Sequence, residues 1–272
     1  MDEEDLANST VGWQVLNGFQ LYYVPVLVVL GTLGNCLSVL VFFATKLRKL
    51  SSSYYLSALA VSDTGFLLGL FLSWLNLVDV TLFTQQGFCQ FSVYFSQVCS
   101  FLSVWFIVAF TVERFIAVRY PLKRPSMCTV SRAKSVLAVL SLLALLIHSP
   151  YFVISAPQLK LNDTMIVCGL VPEWMSLASV LNHVDFLITL VVPFCLIVVL
   201  NTLISRTVWR VSRLRRSMTQ SGKRRPNQPS SSTSQTKVTQ MLLVVSSVFI
   251  CLNLPSYVIR VWVYLNEVSC SF

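Results

Sequence analysis

From residue 98 to residue 112 the chain is an almost wholly apolar run, and the run closes on the charged pair Glu113-Arg114. Charge is costly in hydrocarbon, so such a run stops where a membrane-spanning helix meets water. Cys89 lies twenty-five residues before Arg114, and a helix of that length is roughly 37 Å long. That crosses a bilayer with some tilt. Composition extends the point to the whole chain: 55% of its 272 residues are hydrophobic and 11% charged, against about a quarter charged in a water-soluble domain. An integral membrane protein follows.

Six apolar stretches are long enough to span, at about 22–45, 54–78, 88–118, 133–153, 177–209 and 238–264. They make a transmembrane bundle over 21–268, preceded by an acidic tail at 1–20 and followed by a short end at 269–272. The net charge of +9 invites a nucleic-acid partner, but the placement of the charges argues against one. All Lys and Arg except Lys160 and Arg260 fall in 46–49, 114–134 and 206–237, whereas Asp2, Glu3, Glu4, Asp5, Asp79, Asp163, Glu173 and Glu267 fall in the complementary segments. Basic loops stay cytoplasmic during insertion, so the amino terminus is expected outside, in a multi-pass membrane protein. No basic segment precedes the first run, which then acts as its own insertion signal. Segment 210–237 begins basic and becomes Pro/Ser/Thr-rich, a cytoplasmic loop disordered in its middle whose start can meet anionic membrane lipid.

Within this frame a few residues carry chemistry. The sequons at Asn8 and Asn162 are glycosylation acceptors on the outer side. Asp63 sits mid-span, where a carboxylate needs a partner, a cation or a proton. A polar site shared with Asn35 and Ser103 is one reading, and a protonated structural Asp is the other. Cys36, Cys99, Cys195 and Cys251 lie within spans as buried small residues, and Cys128 is a cytoplasmic thiol. Cys89, Cys168 and Cys270 map outside, where oxidation is permitted. The long loop holding Cys168 lies opposite the outer end of the helix that starts near Cys89, which suggests the disulfide Cys89–Cys168, with two free thiols as the alternative. His148 and His183 are the only histidines and no serine motif accompanies them, so no hydrolase is expected.

The ordered set of motifs resembles rhodopsin-like (class A) G-protein-coupled receptors over about 22–267. Gly34-Asn35 is similar to the first-helix signature, Leu59-Ala60-Val61-Ser62-Asp63 to the second, and Glu113-Arg114-Phe115 to the third, with Pro121 seven residues beyond Arg114. Pro150, Pro193 and Pro255 occupy the family's proline positions, and Phe249 its sixth-helix Phe. Departures also occur: the fourth span has no Trp, Asn253 stands where a Trp is usual, Asn201 replaces a fifth-helix Tyr, and no seventh-helix motif follows. The expected fold is an all-α rhodopsin-like bundle with six of the usual seven helices, a truncated receptor.

The resemblance implies a receptor that carries an extracellular signal to heterotrimeric G proteins as the sixth helix swings outward, with Glu113, Arg114, Phe115, Phe249 and Pro255 as the activation switch. It implies no enzyme and no cofactor, a sodium ion at Asp63 with Asn35 and Ser103, and arrestin and a receptor kinase as further partners. Ser96 stands where amine receptors carry an aspartate, which argues against an amine. The ligand pocket then draws on Ser96, Gln97, Ser100, Asn182, Asp185, Tyr257 and Arg260. With a β-hairpin expected around Cys168, this set is similar to peptide receptors. The run ERFIAVRYPLKRPSMCTVSRAK resembles arthropod and molluscan neuropeptide receptors of CNMamide and FMRFamide type. Two rival functions are a non-signalling decoy or dimer partner and a six-span transporter. The latter would show internal repeats or broken helices in both halves, and none is visible.

Overall fold

The structure is a computed structural model that describes residues 3–78, 80, 82, 84–159 and 166–220. The expected sixth span at 238–264, and with it Phe249, Asn253, Pro255, Tyr257 and Arg260, lies outside the described residues, as do Asn162 and Cys270. The described elements are helices α1 (Glu3–Ala44), α2 (Ser51–Leu77), α3 (Phe88–Arg119), α4 (Arg124–Met127), α5 (Val130–His148) and α6 (Tyr151–Ile154), strands β1 (Ser155–Leu159) and β2 (Ile166–Leu170), and helices α7 (Met175–Asp185) and α8 (Val192–Gln220). Five stretches among them are long and apolar enough to cross a membrane: Gln20–Ala44, Ser51–Leu77, Phe88–Arg119, Val130–Ile154 and Pro172–Val211. These match the first five expected spans.

The boundaries follow local chemistry. α3 opens at Gly87, whose positive φ of 84° suits a residue without a Cβ. The Gln90 side chain reaches back 2.7 Å to accept from the Gly87 N–H, one half of a capping box. α3 closes at Arg119, before Pro121 can continue it. α5 stops at His148, two residues ahead of Pro150, and the chain resumes as the single turn α6. The expected first span differs, because α1 begins at Glu3 and runs unbroken through what the sequence read as a tail. The acidic residues at its start suit the positive end of the helix dipole, and no proline occurs before Pro25 to stop it.

Pro25 lies inside α1 and has no N–H, so the Leu21 carbonyl one turn back loses its partner. The Trp74 indole of α2 supplies the replacement, donating to that carbonyl at 3.1 Å. Pro193 is accommodated differently: the six residues Phe186–Val191 ahead of it form a wider π-helical stretch joining α7 to α8.

The chain divides into two compact units, residues 1–106 with 130–184, and residues 107–129 with 185–272. In the first, α1 packs on α2 and α2 on α5. Close approach of α2 and α3 rests on small residues, since Gly69 lies against Ser96, and Gly65 against Cys99 and Phe95. Strands β1 and β2 pair antiparallel with Pro157 opposite Cys168, the hairpin the sequence led us to expect. Under it Tyr151, Ile154 and Ala178 form a buried cluster. His148 is buried there too, its Nδ1 2.9 Å from the Ala144 carbonyl and its ring against Phe101 and Tyr151. That is a structural role. In the second unit the π-helical stretch packs on α8.

Candidate functional site

At the start of α3, fully buried Cys89 is joined to Cys168 of β2 by a disulfide between residues 79 apart in sequence, with their Cα atoms 5.6 Å apart. The link fixes the hairpin to the first turn of the helix. Cys36, Cys99, Cys128 and Cys195 are free thiols; of the three described ones expected to be buried within spans, Cys99 is buried, whereas Cys36 and Cys195 are exposed on faces that no other described helix covers.

Along the same face of α3 stand Ser96, Gln97 and Ser100, all half-buried. Ser96 sits over Gly69, so its hydroxyl occupies the α2–α3 contact rather than open space. Asn182 is exposed on α7. Asp185, in the second unit, accepts a 2.8 Å hydrogen bond from the Thr189 hydroxyl one turn on, across the π-helical stretch. Thr189 was not anticipated from the sequence, although its spacing of four from Asp185 is the signal that would have found it.

The polar core is assembled in part. Ser103 on α3 donates at 3.1 Å to Ser62 on α2, next to Asp63 in the chain. Asn35 on α1 is half-buried, and among the described residues no hydrogen bond joins it to Asp63 or Ser103. Ser62 is the member the sequence did not single out.

In the second unit α3 carries the charged pair before its last turn. Arg114 Nη2 lies 3.2 Å from Glu113 Oε1, with the side chains 14% and 8% exposed. The guanidinium also sits 5.2 Å from the centre of the Phe110 ring, a cation–π contact, while its Nε is buried with no hydrogen-bond partner among the described residues. Phe115 meets Tyr120 edge to face at 6.4 Å. The Cys128 thiol, 3.8 Å from the Glu113 carbonyl oxygen, was expected only as a free cytoplasmic cysteine. Burial pushes its pKa up, and the Glu113 carboxylate adds to this, against the opposing pull of Arg114 and Arg124. Asn8 lies within α1, but its side chain is not among those described.

Comparison with known proteins adds the kinship. The sequence model of the family "7 transmembrane receptor (rhodopsin family)" matches residues 34–272. The thyrotropin-releasing hormone receptor of Gallus gallus is 32% identical over 186 residues, covering 66% of this chain and 46% of that protein. The FMRFamide receptor of Drosophila melanogaster is 26% identical over 251 residues, 86% of this chain and 43% of its own length. The growth hormone secretagogue receptor type 1 of Oryctolagus cuniculus is 28% identical over 244 residues, 77% of this chain and 63% of its own. The chain thus spans about half the length of the relatives it matches.

Proposed function

Because the chain belongs to the rhodopsin family of seven-transmembrane receptors, a family of receptors and not of enzymes, we propose that it carries an extracellular neuropeptide signal to heterotrimeric G proteins at the plasma membrane. The observation that carries this reading is the Glu113–Arg114 pair at the basic end of α3. A guanidinium held by one carboxylate and one aromatic ring, with a buried Nε left over, is a donor that a partner can claim once the carboxylate lets go. The ligand then acts by binding the released state better than the locked one.

Support for a peptide ligand comes from the outer side. A hairpin covalently tied to α3 gives a broad rim for an extended ligand, and Ser96 offers no carboxylate to an ammonium group. The relatives named above are receptors for thyrotropin-releasing hormone, FMRFamide and a growth hormone secretagogue. Gln97, Ser100, Asn182 and Asp185, with Tyr257 and Arg260, are the ligand-facing set in this reading. Asp63 with Ser62, Ser103 and Asn35 holds a sodium ion that favours the locked state. Phe249 and Pro255 complete the switch, and arrestin and a receptor kinase act on the cytoplasmic side. The amino terminus faces outward and bears glycans at Asn8 and Asn162. A transporter has no support from the family match.

The test is a G-protein dissociation assay in cells expressing the full reading frame that contains these 272 residues, screened with a broad neuropeptide library. Ligand-dependent dissociation that Arg114→Ala abolishes is the expected result. Peptide binding with no G-protein response would favour the decoy reading, and no peptide response of either kind would sink the proposal.

A further inference from the structure

The second unit contains a cavity of about 850 Å³ at the basic end of the bundle, and the switch does not use it. Its walls are Val118, Arg119 and Pro121 from the end of α3, and a face of α8 that includes Arg206, Trp209, Arg210 and Arg213. On α8 these four residues recur three, four and seven apart, so they stand on one side of the helix as it leaves its apolar stretch. Arg213 stacks on Trp209, its guanidinium carbon 3.6 Å from the ring centre. Among the described residues no salt bridge neutralises any of the four arginines.

We propose that this cavity binds the phosphorylated headgroup of a phosphoinositide in the membrane leaflet on the basic side. Three features select that ligand. Guanidinium forks match phosphate oxygens two at a time, which a Lys cluster would not do. A tryptophan that is 59% exposed, beside arginines at the point where a spanning helix meets water, belongs at headgroup depth. Four converging cations with no carboxylate partner among the described residues exceed what a single-charge lipid such as phosphatidylserine can satisfy, whereas a phosphomonoester-bearing inositol ring brings several charges on one compact group. The acyl chains would lie along the apolar part of α8, where Val199 and Leu203 are exposed. This deepens the receptor reading by giving its cytoplasmic face a lipid ligand, but the binding itself does not require that reading.

The experiment uses the full chain in nanodiscs of phosphatidylcholine doped with a fluorescent phosphatidylinositol bisphosphate, which is present on both faces so that the outcome is independent of orientation. Binding is read by energy transfer from the protein, with competition by unlabelled phosphatidylserine and by soluble inositol trisphosphate. Arg206→Gln with Arg210→Gln should weaken binding at least about tenfold. Arg48→Gln with Lys49→Gln, the same charge change on the basic turn after α1, should leave it nearly unchanged. Arg206→Lys with Arg210→Lys keeps the charge but loses the forks and should fall between the two. Equal loss in both Gln pairs would show diffuse attraction and overturn the site. Full competition by phosphatidylserine at equal charge would also overturn it. Binding of soluble inositol trisphosphate as tight as that of the lipid would make the ligand a free polyphosphate and overturn the lipid assignment. Unchanged lipid binding in the Gln pair, with lost coupling to a cytoplasmic protein, would assign the arginines to an acidic partner instead. Helical circular dichroism of each variant keeps misfolding distinct from loss of the site.

Discussion

Glu113 does two things for Arg114: it neutralises the guanidinium, and it holds it beside Phe110 rather than free for another acceptor. Glu113→Gln keeps the shape and removes the charge. A hydrogen bond to a charged group contributes about 1.5–3 kcal/mol, and a change of that size shifts a two-state equilibrium by about ten- to a hundredfold. Raised ligand-independent G-protein dissociation by E113Q, at equal surface expression, is the expected outcome. Unchanged basal signalling would show that the pair is no lock. The neighbouring thiol gives a second check. Since burial and Glu113 raise the pKa of Cys128, its thiolate is scarce at neutral pH, and alkylation by a maleimide should be slower than at an exposed cysteine. The rate should climb as pH rises into the alkaline range, and Glu113→Gln should speed it at fixed pH by removing one of the two effects that raise the pKa. Fast labelling of the unaltered protein at neutral pH would contradict the half-buried setting of the thiol beside Glu113. From the sequence, Glu113-Arg114 was legible as a pair because adjacency and position sufficed. Ser62 and Cys128 were not, because which hydroxyl or thiol turns toward a partner depends on the rotation of a helix or the path of a loop.

At the level of the elements, charge and proline signals located α3 to within a residue of its expected end, but failed at the start of α1, where nothing in the tail forbids a helix and apolar content marks only its membrane part. Helix contacts were less legible still. Gly65 and Gly69 read as ordinary span residues until α3 is seen lying against them. Gly69→Val would push a branched side chain into Ser96, and overpacking of this kind costs about 1–3 kcal/mol. A lowered melting temperature in detergent is expected, with part of the loss recovered by Ser96→Gly; a melt unchanged from the parent would mean that α2 and α3 are further apart than described. The disulfide acts on another element. Cys168→Ser releases a cross-link between residues 79 apart, and loss of a native disulfide costs about 2–5 kcal/mol. The thermal melt should fall and peptide response should drop with it, while Cys36→Ser, at an exposed free thiol, changes neither.

For the molecule as a whole, the apolar surface and the charge asymmetry together set how the chain lies in a bilayer. Leu30, Leu33, Leu37 and Leu40 on α1 are 62–65% exposed, a row that water would not tolerate and lipid covers. Among the described residues, the basic residues at 46–49, around Arg119 to Lys134 and from Arg206 to Arg216 sit at the ends that the positive-inside rule keeps in the cytosol. If so, the residues before Gln20 are delivered to the lumen during synthesis, and the sequon at Asn8 meets the glycosylating machinery. The helix through this region sharpens the prediction, because α1 begins at Glu3 and acceptor asparagines are modified most readily in exposed loops. Glycosylation at Asn8 therefore requires that this first part of α1 open or form after the chain is modified. A glycosidase-sensitive band in cells, shortened in Asn8→Gln and again in Asn162→Gln, would fix both segments outside. A shift lost with Asn162→Gln alone would keep the orientation and leave the early helix as the reason Asn8 is spared, and accessibility of an amino-terminal epitope only after permeabilisation would invert the orientation altogether.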